Sequence, residues 1–333
     1  MDALVDILLL AFMAISAIAI LRLRDLFAVA MMFGLFSLIS AGLFTAMDAP
    51  DVAFTEAAVG AGISTILILA TLAQTVRRAH EPVKPRVLVP LAVVWITGAV
   101  LIFGTADLPR FGDPEAPANL HVAPYYLQES PQDIGIPNVV ASVLASYRGY
   151  DTLGEVVVVF SAVIGVIALL GLRRRKPGRG RLTAHSEHGV LKVIAKLVVP
   201  TILLFALYVQ FHGEYSPGGG FQAGVIFAAA IILYALVFGL DAARSVIPPA
   251  LLGRMPALGV LIYGGVGLLT MLLGGNYLDY NLLGGSPQAG QHTGILLVEL
   301  GVGVTVSSVM LLIYFVFAER GRRQRTEDSE AGE

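Results

Sequence analysis

Residues 52–75 read VAFTEAAVGAGISTILILATLAQT, and the basic pair Arg77-Arg78 follows after Val76. The run is apolar, shows no strand-like alternation and contains a single carboxylate, Glu56. Crossing a hydrocarbon core of roughly 30 Å takes about 20 helical residues. A helix also satisfies its own backbone hydrogen bonds in lipid, so a run of this length and character is expected to be a membrane-spanning helix. Similar runs surround it, near 3–21, 27–47, 88–104, 153–172, 190–211, 221–240, 256–274 and 293–317. The expected fold is therefore an all-α, polytopic transmembrane helical bundle of about nine spans. Composition agrees, with 56% hydrophobic and only 14% charged residues, against roughly 25% charged in a soluble domain. The mean hydropathy is +0.78. Met1-Asp2-Ala3-Leu4 lacks the basic region of a secretory signal and its apolar run continues to Leu21, so this run is read as the first span.

The basic residues orient the bundle, because connections on the cytoplasmic side of a membrane are enriched in Lys and Arg. With the N-terminus outside, the inner segments hold Arg22 and Arg24, the 77–86 group, the dense block RRRKPGRGR at 173–181, Lys192, Lys196, Arg244, Arg254 and the 320–325 group. Of the 22 Lys and Arg, only Arg110 and Arg148 are left outside. The C-terminus is then cytoplasmic. The block at 173–181 also divides the chain. We read 1–173 as a five-span region, 174–184 as a basic cytoplasmic linker, 185–320 as a four-span domain and 321–333 as a disordered cytoplasmic tail. The long outer connection, 105–152, starts Pro-rich and then turns amphipathic. Ile136, Val139, Val140, Val143, Leu144 and Tyr147 have the spacing of a helix that either lies on the outer interface or docks on a neighbouring subunit, with Pro137 near its first turn.

Charge inside a span is the informative exception. At the bilayer centre it costs at least about 2.5–3.5 kcal/mol, and such groups normally face protein or a water-filled cavity. Glu56, Glu155 and Glu299 are the acids in question, each close to the outer end of its span. Desolvation disfavours the ionised form of a carboxyl, which suits a group that must exchange protons. The three are thus candidates for ion translocation, the alternative being interfacial acids that pair with a neighbouring subunit. Gly60 and Gly62 follow Glu56 within two turns, which allows either close helix packing or a π-type bulge beside the acid. Pro217, Gly218, Gly219, Gly220 and Phe221 cannot be a helix interior and are read as a tight outer turn into the next span. Glu214 beside it would repel an anion, whereas Glu214 and His212 could line a cation route. Gly301 with Thr305, and Gly303 with Ser307, form small-xxx-small pairs expected to pack against other helices. Lys196 is expected to snorkel to the inner interface.

Several chemistries find no support in the residues. The chain has no cysteine, which excludes disulfides and thiolate metal sites. His185 and His188 stand alone in the basic linker and do not make a metal site. No phosphate loop, nucleophile elbow, dinucleotide glycine pattern or metalloprotease helix is present, and the spans supply no Ser/His/Asp set. We therefore expect neither an enzyme nor a cofactor or metal, and no nucleic-acid partner, since the basic residues sit in short blocks between spans.

These strings carry a resemblance. Residues 185–320, through FHGEYSPGGGFQAGVIFAAA and LGGSPQAGQHTGILLVELGVGVTV, resemble the B subunit of Mrp-type multisubunit cation/proton antiporters, the MnhB domain. Residues 1–173, through PDVAFTEAAVGAGISTILILATLA and GIPNVVASVLASYRGYDTLGEVVV, resemble the C-terminal end of the large A subunit of the same complexes. These spans are also similar to small membrane subunits of membrane-bound hydrogenases and respiratory complex I. The resemblance implies a multi-pass component of a bacterial inner membrane, partnered by the other subunits of an Mrp-type complex and by lipid. It implies exchange of Na+, or another monovalent cation, for H+. It carries an ion-transfer role onto Glu56 and Glu155, and matches the turn at Pro217–Phe221 and the last-span acid at Glu299. The B subunit is normally only the four-span part, and the large antiporter-like unit is absent here, so transport by this chain alone is not implied. A purely structural scaffold subunit, or a membrane subunit of a hydrogenase- or complex I-like redox-driven pump, are the alternative readings.

Overall fold

A computed structural model describes residues 2–79, 88–171 and 189–331. Helices α1 (Asp2–Arg22) and α2 (Leu26–Ala46) form a hairpin. Its turn is held by Asp25, whose carboxylate caps α2 by accepting from the Phe27 N–H at 2.9 Å. The same carboxylate receives the Arg77 guanidinium, with Nε at 3.1 Å and a terminal nitrogen at 2.9 Å. That guanidinium holds the Asp25 carboxyl below the usual carboxylate range, and it ties the start of α2 to the segment just beyond α3.

Helix α3 (Pro50–Leu72) opens on Pro50, at the position where a missing N–H costs nothing. Its middle, Ala57–Ser64, is π-helical and contains both Gly60 and Gly62. Close packing is present too. A Cβ on Gly60 would lie 2.5 Å from Ser37 Oγ of α2, and a Cβ on Gly34 would lie 2.7 Å from Thr65 Oγ1. Small residues let the two backbones approach to this distance.

Helix α4 (Leu88–Gly104) has 17 residues and buries none of them. It is the shortest of the apolar helices. Eight others among the described residues are long and apolar enough to cross a membrane, so the expected count of about nine includes α4. The protein is a multi-pass membrane protein.

The long connection after α4 differs from expectation. It contains α5 (Ala123–Asp133), which the Pro-rich composition had hidden. The amphipathic segment that follows does not lie along the interface as one helix. Asn138 caps it, accepting from the Val140 and Ala141 amides at 2.9 and 3.3 Å, so Pro137 stands outside the first turn. Residues Val139–Ala141 are α-helical and Ser142–Tyr147 π-helical. Ile134, Ile136, Ala141 and Ala145 are buried in the protein core. Of the expected apolar stripe only Ile136 is buried, while Val140 and Leu144 are 40% and 46% exposed; the small residues Ala141, Ser142 and Ala145 take the core-facing side instead.

Helices α6 (Gly149–Leu170), α7 (Gly189–His212), α8 (Gly220–Phe238), α9 (Met255–Leu272) and α10 (Pro287–Ala331) complete the bundle. Helix α10 is its axis. A Cβ on Gly301 would sit 2.8 Å from the Gly259 carbonyl of α9, and one on Gly224 of α8 would sit 2.9 Å from the Gly303 carbonyl. The two small-xxx-small rows therefore face different neighbours, 301/305 towards α9 and 303/307 towards α8. Val298, Val302, Val306 and Val309 fill the seam between them.

Two contacts close the end of the bundle expected to be cytoplasmic. Gln74 Nε2 donates to the Phe317 carbonyl at 2.7 Å, and Arg244 pairs with Glu319 at 2.7 Å with both side chains largely buried. Helix α10 continues through Ala331. Residues 321–331 are thus helical, where low hydropathy suggested a disordered tail; they include Arg, Gln and Glu, all good helix formers. Lys196 is exposed on α7, as snorkelling requires. The linker 174–184, together with His185 and His188, lies outside the described residues.

Candidate ion-translocation site

The turn at 213–219 organises the opposite end of the bundle. Gly219 has φ of 115°, a conformation that favours glycine. The Gly219 N–H folds back onto the Val209 carbonyl at 3.1 Å. Asn138 clamps the turn from the side. Its backbone N–H donates to the Glu214 carbonyl at 2.9 Å, and its side-chain Nδ2 donates to the carbonyls of Gly213 at 2.9 Å and Ser216 at 3.2 Å. Pro217 to Phe221 is therefore a compact turn leading into α8, as the sequence suggested, but it is more than a connection. Its free amides are spent on acids from other helices.

The Gly220 N–H, in the first turn of α8, donates to Glu299 Oε2 of α10. The Gly218 N–H reaches Asp51 Oδ1 of α3 at 3.3 Å. One residue pair further on, Gln222 Nε2 donates to Thr55 Oγ1 at 2.9 Å. A helix N-terminus carries a partial positive charge and unpaired N–H groups, so α8 is a natural partner for carboxylates. Gly219 is required twice over, since a Cβ there would also fall 2.7 Å from Glu299 Oε2.

These contacts border a cavity of about 280 Å³. Its polar lining is Asp51 and Thr55 from α3, Thr152 and Glu155 from α6, Gln222 from α8, and Glu299 from α10. Apolar walls come from the 140–145 segment, Phe221 and Val298. Tyr263 stands on one side and locks α9 to α6 through a 2.7 Å bond from its hydroxyl to the Gly149 carbonyl. Tyr280 makes the parallel contact to the Ala145 carbonyl at 2.9 Å.

The structure thus brings Glu155 and Glu299 together and leaves Glu56 elsewhere. Glu56 is half-buried on the α2 side of α3, with its carboxylate folded over Gly60 near Ser37. Residues Asp51, Thr55 and Gln222 were not anticipated. A signal existed, because Asp51 and Thr55 are spaced i, i+4 and share one helix face. Glu56, one residue on, is turned about 100° away from them.

A second, smaller feature adjoins the first. Glu214 is buried, with 8% of its surface exposed, and pairs through Oε2 with His292 Nδ1 of α10. Burial pushes the Glu214 carboxyl up and the adjacent imidazole pulls it down; burial dominates.

Three family models match successive parts of the chain. Residues 190–312 match the domain related to the MnhB subunit of Na+/H+ antiporters, 11–77 match the D subunit of MBH, and 112–188 match the E subunit of MBH. A putative antiporter subunit mnhB2 of Staphylococcus aureus is 35% identical over 127 residues, which is 89% of its own length and 37% of this chain. The chain belongs to the MnhB family. A probable A/B subunit of a K(+)/H(+) antiporter from Rhizobium meliloti is 26% identical over 318 residues, 84% of this MnhB-family chain. The chain spans 31% of that relative's length. In the structure of the Mrp complex from a Dietzia species, one subunit superposes with a TM-score of 0.76 at 27% identity, over 93% of this chain and 34% of that one. A chain of an archaeal membrane-bound sulfane sulfur reductase superposes with a TM-score of 0.52 at 30% identity, over 68% of this chain and 96% of that one. The MnhB match coincides with α7 to α10, whereas the cavity also needs α3 and α6 from the part ahead of it.

Proposed function

We propose that this chain is a membrane subunit of a multisubunit monovalent cation/proton antiporter, and that the cavity is part of the ion path. The observation that carries the reading is the meeting of Asp51, Glu155 and Glu299, from three different helices, on one cavity with Thr55 and Gln222. Carboxylate, hydroxyl and amide oxygens are the ligands that hard cations prefer. A volume of about 280 Å³ holds several waters, each occupying about 30 Å³ in the liquid, so a partly hydrated Na+ or K+ fits. Glu299 takes up and releases the proton, held in place by the Gly220 amide. Glu155 and Asp51 face it and supply charge for the cation. A proton moving inward gains about 2.3 kcal/mol per 100 mV, which can drive a cation the other way. Glu56 enters through the π-helical segment, whose re-registration would turn the Asp51–Thr55 face relative to the cavity.

The test uses the assembled complex in everted vesicles. Glu299→Gln and Glu155→Gln are expected to abolish or strongly slow cation-driven proton exchange while the complex still co-purifies intact. Wild-type exchange by both variants would reduce the chain to a structural scaffold. The matches to the D and E subunits of MBH favour a second reading, a membrane subunit of a redox-driven pump. Purification from native membranes separates the two, because iron–sulfur partners would accompany the chain only in the second.

A further inference from the structure

Glu299 also borders a second void, of about 10 Å³, lined by Gln210, Gly213, Glu214, Ile295 and Leu296 among others. That is the size of a single water site, for which about 10–15 Å³ is the threshold. Two of its bordering residues have a buried polar atom without a hydrogen-bond partner in the protein, Glu214 Oε1 and Gln210 Nε2. A buried unpaired polar atom costs roughly 1–3 kcal/mol, so two around one void call for a shared partner. Water fits the chemistry better than a cation. It can accept from the Gln210 amide and donate to two carboxyl groups, whereas the amide hydrogens would repel a metal ion. The other oxygen of Glu214 is already engaged by His292, whose side chain is 54% exposed. Glu299 borders both voids. His292 and Glu299 lie about two turns apart on the same face of α10.

We propose that His292, Glu214 and one water held by Gln210 form a proton relay that connects the surface of the bundle to Glu299. This deepens the antiporter reading and rests on it. Starting with Glu214 protonated on Oε1, the Oε1–H bond breaks as its proton passes to the water, and the water gives one of its own protons to the Glu299 carboxylate. His292 then transfers its Nδ1 proton to Glu214 Oε2, becoming neutral until it is reprotonated from the aqueous side. Rotation of the Glu214 carboxyl returns the new O–H to the void. Protons are conserved at every transfer, and no co-reactant is needed. The ionisable groups facing Glu214 are His292 and Glu299 of α10; α7 adds the Gln210 amide, and Asn138, from the segment ahead of α6, binds the Glu214 backbone carbonyl.

The experiment measures exchange in everted vesicles containing the full complex, with co-purification as the check on assembly. Glu214→Gln should slow exchange about a hundredfold, the low end of what a positioned proton donor contributes, without changing the cation concentration for half-maximal rate. His292→Ala, at an exposed position, should slow it similarly and be restored by imidazole supplied on the His292 side of the membrane only. Slowing without imidazole rescue would make the pair a structural pin and overturn the relay. Wild-type rates in both variants, with Glu299→Gln inactive, would overturn the relay and leave the cavity reading standing. Wild-type exchange by Glu299→Gln would end both.

Discussion

At the scale of single residues, Asn138 and Gly219 shape the site more than the acids do. Asn138 is 9% exposed, caps the 139–147 segment and donates to two carbonyls of the 213–219 turn. Asn138→Leu removes these side-chain bonds while keeping the branching at Cγ. The loss of the cap costs about 1 kcal/mol, and stranding a buried carbonyl costs about as much again. The expected outcome is an assembled complex with a clearly lower melting temperature and impaired exchange. Gly219→Ala places a methyl group against the Glu299 carboxylate in backbone geometry that itself costs about 1–3 kcal/mol. Its exchange rate should fall with that of Glu299→Gln, while Gly285→Ala, where a methyl group meets open space, should leave thermal stability nearly unchanged. Neither role could be read from sequence. Asn138 looks like one more polar residue in a loop, and its partners are some 75 positions away. The acids inside apolar runs were legible because lipid makes charge costly. Which of them meet was not, since that depends on helix rotation.

At the scale of elements, the spans were legible and the irregularities only partly so. Hydropathy locates a helix to within a few residues because the bilayer fixes its length. The π-helical segment of α3 was signalled by Gly60 and Gly62, but the one at Ser142–Tyr147 carries no glycine and went unseen. A π segment holds an extra residue relative to a regular helix, so it sets the rotation of everything on one side of it. Deleting Ala61 should restore regular helix and turn Asp51 and Thr55 about 100° relative to Thr65 and the residues beyond. We expect normal insertion and lost exchange. The chain contains no cysteine, so a lone cysteine at position 55 reports the rotation directly: its reaction with a small water-soluble thiol reagent should change sharply on the deletion. Unchanged labelling and unchanged exchange would show that the segment does not set the register.

At the scale of the whole molecule, the two parts joined by the 174–184 segment are built into one another. Gln74 meets Phe317, Thr55 meets Gln222, Asp51 meets Gly218, Asn138 meets Gly213, and Tyr263 meets Gly149. These ties lie at both ends of the bundle and do not depend on the connecting segment. Co-expressed as separate chains 1–173 and 185–333, the halves should co-purify and retain exchange; failure to associate would mean that covalent linkage is needed for assembly. By contrast α4 buries nothing, and Trp95 and Phe103 are 72% and 80% exposed, which places its apolar surface against lipid or neighbouring subunits. Two stretches with different resemblances were visible in the sequence. That they share a site was not, because no local pattern records which helix ends are brought level.

The bond between the Gly220 amide and Glu299 has one more consequence. A carboxylate has two oxygens and about four lone-pair sites, and the α8 amide takes one of these, which fixes where the rest point. Under the proposed role, a proton arriving on that pinned group would cancel the very charge that draws a cation towards it. Loading one ion would then weaken the hold on the other, and a coupling of that kind needs no long-range signal, because it is a matter of charge on one side chain.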